Sequence, residues 1–174
     1  MNGLNLILKV FRAHGDAKQR ALIQKLGKQK TETFPAIKTI CTGDYAPSIQ
    51  RWAVEALGVY PLKDALPFLR KALRSPHMSV RLHAVRAIGR LGNPDLARYV
   101  KSLTRDESGG IRMNALETLC SLKPRDLKAV LKKALSDEKW YIRQYVERKL
   151  DSTDFASRRS ATRRFPETFH TSRQ

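Results

Sequence analysis

VRLHAVRAIG, residues 80–89, is a phrase that this chain repeats at a fixed distance. IQRWAVEALG stands one period earlier, from Ile49 to Gly58, and IRMNALETLC stands one period later, from Ile111 to Cys120. IRQYVERKLD follows at the same spacing from Ile142, and a degenerate copy, KQRALIQKLG, opens at Lys18. A constant period of this size marks a stack of supersecondary units, none of which buries its apolar face without its neighbours. On a helical wheel Val80, Ala84, Ala87, Ile88 and Leu91 share one stripe, while Arg81, Leu82, Arg86 and Arg90 fall outside it. The phrase therefore reads as an amphipathic helix.

Each copy follows a second apolar segment and a short turn, as in LPFLRKALRSPHM before Val80 and LARYVKSLTRDESGG before Ile111. The units are helix pairs, spanning about 1–28, 32–59, 63–91, 94–122 and 125–150. Gly58 before Pro61, and Gly92-Asn93-Pro94 before Asp95, supply stop and start signals between them. The predicted fold is all-α, an α-solenoid of about five stacked helix pairs over residues 1–150.

VRLHAVRAIGRLGNPDLARYV resembles the HEAT repeat, in the short form named after phycobilisome lyases. The resemblance runs through residues 1–150, strongest in the three middle units and weakest in the first, where Lys18 replaces an apolar opening residue. It implies a structural role for one polar column. Asp44, Ser75, Asp106 and Asp137 recur once per period in the turn within each pair, and Gln50, Arg81, Arg112 and Arg143 open the helices that follow. In HEAT proteins such Asp and Arg pairs form a ladder between repeats. The glycines Gly27, Gly58 and Gly89 read as helix terminators rather than a phosphate loop, because neither GxxxxGK[ST] nor GxGxxG is present.

Charge supplies the functional clue. The 174 residues carry 34 Lys and Arg against 16 Asp and Glu, a formal +18. Residues 1–150 hold 29 of the basic and 13 of the acidic residues, which leaves the tail only +2. Such a balance favours anionic partners and opposes self-association, so a monomer is expected. The HEAT resemblance implies that the second helix of each pair lines a concave face. Its exposed positions give the columns Arg20, Arg51, Leu82, Met113, Gln144 and Gln24, Glu55, Arg86, Glu117, Arg148, with Ala21, Trp52, His83, Asn114, Tyr145 as a third. Basic, aromatic and amide groups interleave there, which suits a phosphate backbone flanked by stacking contacts. The candidate binding residues are Arg20, Arg51, Trp52, His83, Arg86, Arg90, Asn114, Tyr145 and Arg148. An aromatic wedged between helices is the structural alternative for Trp52 and Tyr145. The outer helices are basic as well, through Arg70, Lys71, Arg74, Arg98, Lys101, Arg105, Lys128, Lys132 and Lys133.

No cofactor or metal is expected, because His14, His77, His83, His170, Cys41 and Cys120 show no HExxH or CxxC spacing. The two cysteines lie two repeats apart, too far to bridge, and read as buried thiols. LNLILKVF near the N-terminus fits a first helix rather than a signal peptide or membrane span, so a cytoplasmic protein is expected. Residues 151–174, with the basic cluster SRRSATRR, read as a disordered tail. HEAT-like alkylpurine DNA glycosylases use an aromatic and a carboxylate near the lesion, and Trp52 with Glu55 echoes that pairing without a matching motif; nothing identifies a bilin ligand. The expectation is a non-enzymatic module binding nucleic acid, DNA or RNA, with an acidic partner protein as the alternative.

Overall fold

The computed structural model describes residues 3–12 and 16–162. Among them every regular element is helical: α1 (Gly3–Arg12), α2 (Asp16–Leu26), α3 (Lys30–Thr42), α4 (Pro47–Ala56), α5 (Leu62–Ala72), α6 (Met78–Leu91), α7 (Ala97–Val100), α8 (Gly109–Leu122), α9 (Leu127–Ala134) and α10 (Trp140–Thr162). Short 3-10 turns follow α4 at Leu57–Val59 and flank α7 at Pro94–Leu96 and Lys101–Arg105. The chain is an all-α solenoid of helix pairs. It divides into two compact units after Leu127.

In the first unit α1, α3, α5 and α7 are the outer helices, and α2, α4, α6 and α8 the inner ones. The inner row packs in sequence, α2 on α4, α4 on α6 and α6 on α8, and each inner helix also touches its own outer partner. An inner helix in mid-stack thus has neighbours on three sides. That is why α6 buries Val80, Arg81, His83, Ala84, Val85, Ala87 and Ile88, far more than a single amphipathic stripe. The core is mainly aliphatic, with Ile23, Ile37, Ile40, Leu57, Leu69, Ile88, Ile111, Leu116 and Leu119 almost wholly buried.

Helix ends correct one reading of the glycines. Gly27 does follow the last turn of α2, its N–H bonded to the Ile23 carbonyl at 3.3 Å. Gly58, however, sits inside a 3-10 turn, and Gly89 lies within α6. The terminator of α6 is Gly92, left-handed at φ 64°, whose N–H reaches the Ile88 carbonyl. Lys123, the counterpart of Gly92 in the next repeat, ends α8 in the same conformation at φ 51°, a position glycine fills at lower cost. Gly58 is present for another reason. A Cβ there would stand 2.9 Å from the Ala87 carbonyl oxygen and 3.0 Å from its Cα, so the absence of a side chain lets this turn close onto α6.

The second unit carries α9 and α10, with Leu131, Ile142 and Val146 buried. The repeat pattern places the last unit's end at Leu150 and a tail beyond it; α10 instead continues to Thr162. No proline or glycine occurs between Trp140 and Thr162, so nothing in the backbone chemistry stops the helix where the apolar repeat stops. Residues 163–174, including the end of SRRSATRR, lie outside the described residues.

Candidate functional site

The aromatic and imidazole groups expected on an open face are inside the protein. Trp52 is 1% exposed and His83 4%, and their rings meet edge to face at 4.8 Å. The two belong to neighbouring inner helices, α4 and α6, and the position that looks outward on an isolated wheel faces the adjoining repeat in the stack. Glu55, one turn after Trp52, is equally buried. Its Oε2 lies 2.6 Å from His83 Nδ1, and its Oε1 accepts a hydrogen bond from Arg90 Nη2 at 2.9 Å. Without a proton on Nδ1 both atoms of the shorter contact would lack a partner, so the imidazole donates from that nitrogen. Arg90 also donates from Nη1 to the Glu55 carbonyl at 3.3 Å. Burial pushes the Glu55 carboxyl up, but the bonds and charges of His83 and Arg90 outweigh it and bring it down to about 2.

The proposed concave contacts therefore divide. Trp52 and His83 are packing residues, and Arg90 is held by Glu55. Arg20 is exposed and lies 3.6 Å from Asp16 one turn back. Arg51 rests its guanidinium 5.0 Å from the Trp52 ring centroid and bonds the Ser48 carbonyl, while Asn114 bonds the Gly110 carbonyl. Arg86 is half-buried on α6. In the second unit Arg148 is exposed and donates to the Gln144 carbonyl, and Tyr145 is half-buried with the Lys149 ammonium 5.5 Å from its ring centroid. Within the first unit Trp52 and His83 are thus withdrawn from the surface that Arg20, Arg51, Arg86 and Asn114 share with solvent.

The polar column at the intra-pair turns is structural, and it is uneven. Gln19, Gln50, Arg81, Arg112 and Arg143, one per repeat, each donate to a carbonyl of their own unit: Val10, Gly43, Ser75 with Pro76, Asp106 with Glu107, and Asp137 with Glu138. Arg81 does more. Its Nε and Nη2 clamp both oxygens of Asp106 in the next repeat at 2.8 and 3.0 Å, and Nη2 also reaches Glu107 at 2.8 Å. Asp106 in turn accepts from the Ser108 N–H at 2.9 Å. One repeat earlier the equivalent positions hold Gln50 and Ser75, a pair without a charge on either side.

Where that rung is missing, the turn edge is open. A groove of about 700 Å³ runs between α3–α4 and α5–α6, walled by Thr42, Gly43, Gln50 and Ser75. Val54, Pro67, Phe68 and Val80 give it an apolar floor, and Arg70, Lys71, Arg74 and His77 stand at its rim. Its lining contains no carboxylate. Cys41, at one end, is half-buried, and burial pushes its thiol up to about 12; both cysteines are free. A smaller groove of about 270 Å³ lies on the other side of α5, between Arg70, Leu73, Arg74, Arg98, Tyr99 and Ser102. The guanidinium carbons of Arg98 and Arg70 lie 4.9 and 5.6 Å from the Tyr99 ring centroid. Arg70 and Arg74 are common to both grooves. Gln50, Ser75, Phe68, His77 and Tyr99 were absent from the expected site, although the uncharged Gln50 and Ser75 in an otherwise charged column are a signal visible in the repeat alignment.

The family model for HEAT repeats matches residues 34–114 and again 69–151. No curated protein matches the chain. Among solved structures, Cex1p superposes with a TM-score of 0.66 at 15% identity, over 91% of this chain and 36% of Cex1p. This chain thus spans about a third of that protein's length, and the likeness shows the fold alone. An engineered protein aligns at TM-score 0.49 and 16% identity, over 86% of this chain and 78% of its own. A designed armadillo repeat protein in complex with the peptide (KR)4 aligns at TM-score 0.47 and 16% identity, over 82% and 78%. With residues 34–151 matched, well over half of its length, the chain belongs to the HEAT-repeat family.

Proposed function

We propose that this protein is a non-enzymatic, cytoplasmic binding module whose partner is nucleic acid, held by its phosphates along the outer helices and turn edge rather than on the inner helices. The observation that carries this reading is a row of exposed cations, Arg70 and Lys71 on α5, Arg74 in the turn after it, Arg98 on α7 and Arg105 after that, none of which meets a carboxylate among the described residues. Lys101, in the same region, is by contrast tied to Asp126 at 2.6 Å. Exposed arginines on rigid helices suit phosphate recognition, because the planar guanidinium bonds two oxygens at once and is weakly hydrated. With Trp52 and His83 buried, α4 and α6 offer no stacking platform, and affinity along the first unit comes mainly from charge.

Fluorescence anisotropy with labelled 20-mer oligonucleotides over a salt series tests this. If five phosphates of a duplex are neutralised, log Kd against log salt has a slope of magnitude about 4 to 5. Replacing Arg70, Arg74 and Arg98 with Ala should lower that magnitude by about 1 per residue. The triple change of Arg51, Arg86 and Arg148 to Ala should move it less. Weak binding with a shallow slope, and saturable capture of one acidic protein, would assign the outer face to a protein partner instead.

A further inference from the structure

The two grooves flanking α5 have a common plan. Each places a flat side chain beside cations, Phe68 and His77 in the larger and Tyr99 in the smaller, and Arg70 and Arg74 border both. Phe68 is half-buried, with its ring edge-on to Phe34 at 6.1 Å, which fixes it without enclosing it. His77 is exposed, and Tyr99 lies half-buried with the two guanidiniums of Arg70 and Arg98 near its ring. The larger groove, at about 700 Å³, is within the roughly 300–1,000 Å³ of small-ligand pockets. The helix axes that separate successive stations are about 8–10 Å apart.

We infer that these paired grooves bind single-stranded nucleic acid, with one unstacked base seated on the apolar floor of the larger groove against Phe68 and a second against Tyr99 or its guanidiniums. The inference rests on the nucleic-acid reading above and names the strand form that the same surface selects. A duplex presents its bases stacked and paired, and its uniform rod of phosphates cannot enter a groove at the turn edge. A single strand can turn a base out into each station while its backbone follows the shared arginines, and base–aromatic contact tolerates any sequence because every base has a flat face. Thr42, Ser75 and Gln50 add polar groups at the wall of the larger groove, within reach of a base edge or sugar. An acidic peptide would also satisfy the cations, but a nucleic acid strand alone pairs every backbone anion with a flat base for the two aromatic stations. The station exists because the repeat lacks its rung: an Arg and Asp at positions 50 and 75 would cross the mouth of the groove.

The test uses the full chain and anisotropy against four probes of equal length: a mixed-sequence single strand, the duplex, a single strand whose bases have been removed, and a poly-glutamate peptide. Wild-type protein should bind the normal single strand at least about tenfold tighter than the abasic strand or the duplex, since stacking contributes about 1–3 kcal/mol per base. Phe68→Leu keeps the charge and the apolar floor and should lose about tenfold on the single strand alone. Tyr99→Leu reads the second station independently, and the wild-type comparison stands even if a variant misfolds. Equal binding of normal and abasic strands would overturn the inference while leaving phosphate recognition intact. Tighter binding of poly-glutamate than of either strand would overturn it in favour of an acidic protein. Failure to bind any nucleic acid at low salt would remove the broader reading along with it.

Discussion

Two successive junctions of the first unit, α4 against α6 and α6 against α8, share a period and a helix geometry but are fastened in different places. At the first, the polar bond is central: Glu55 is buried between His83 and Arg90, and the turn edge carries only Gln50 and Ser75. At the second the bond is peripheral. Arg81 clamps Asp106 at the turn edge, while Asn114 and Glu117, the counterparts of His83 and of Glu55 and Arg86, are half-buried and exposed. A repeat stack needs its faces joined but does not prescribe where, so moving the fastening inward leaves an edge open without loosening the stack. The groove is the geometric consequence of that choice.

Breaking the central bond gives the largest effect. Glu55→Gln removes a buried carboxylate that accepts from both His83 and Arg90 and should cost about 3 kcal/mol in denaturant unfolding. Glu117→Gln, at the equivalent exposed position, should stay within about 0.5 kcal/mol. Acid titration adds a signature. Glu55 is held at about 2 in the folded protein against an ordinary 4.5, so its contribution is complete above 4.5 and fades as pH falls from there toward 2. Wild-type stability should therefore decline through that interval more steeply than that of Glu55→Gln. Parallel declines would show that the charge of Glu55 does not stabilise the fold.

Exchanging the rungs sharpens the comparison. Gln50→Arg with Ser75→Asp transplants the Arg81–Asp106 pair to the first junction and should raise stability by about 1 kcal/mol, the net worth of a well-formed charged hydrogen bond. The same change should weaken nucleic-acid binding, because it spans the groove and puts a carboxylate among its cations. The reverse exchange, Arg81→Gln with Asp106→Ser, should cost about 2 kcal/mol, the larger share coming from the charged bonds to Asp106 and Glu107, because a Gln at this position still donates to a carbonyl of its own repeat as Gln50 does. A transplanted rung that stabilises the protein yet leaves binding untouched would separate the open edge from function.

The fold was legible because period and apolarity are the same signal in a repeat protein: Ile49, Val80, Ile111 and Ile142 are evenly spaced along the chain and are all buried. The Asp and Arg column was legible for the same reason. The site was not. A helical wheel sorts residues by one helix's two faces, whereas α4 and α6 have neighbours on three, so Trp52 and His83 look available on the wheel and are enclosed by the stack. The role of Glu55 was hidden because its partners, His83 and Arg90, lie about a full repeat further along the chain, on the adjoining helix. The larger groove is walled where two repeats lack their charges, at Gln50 in place of an Arg and Ser75 in place of a carboxylate. An absence shows only once the units are superposed. The continuation of α10 past Leu150 was hidden for the opposite reason, since a helix can outlast the apolar pattern that announces it.

The smallest expected effect separates the two junctions at the backbone itself. Gly58 and Gly89 occupy the same place in successive repeats, yet only the first is closely approached. A methyl at Gly58 would meet the Ala87 backbone at 2.9–3.0 Å and the Arg90 Cβ at 3.2 Å, pushing α4 off α6 and disturbing the arginine that holds Glu55. Gly58→Ala should therefore cost about 1 kcal/mol or more, as overpacking does. At Gly89 the nearest atoms are Thr118 Oγ1 and Cγ2 at 3.5 and 3.6 Å, ordinary contact distances, and Cys120 already fills the equivalent place in the next repeat. Gly89→Ala should stabilise α6 by up to about 1 kcal/mol through helix propensity alone. Thermal unfolding of the two variants should move in opposite directions. Equal losses from both would mean that the second junction is packed as closely as the first, and the contrast in fastening would then reflect side-chain chemistry rather than the distance between helices.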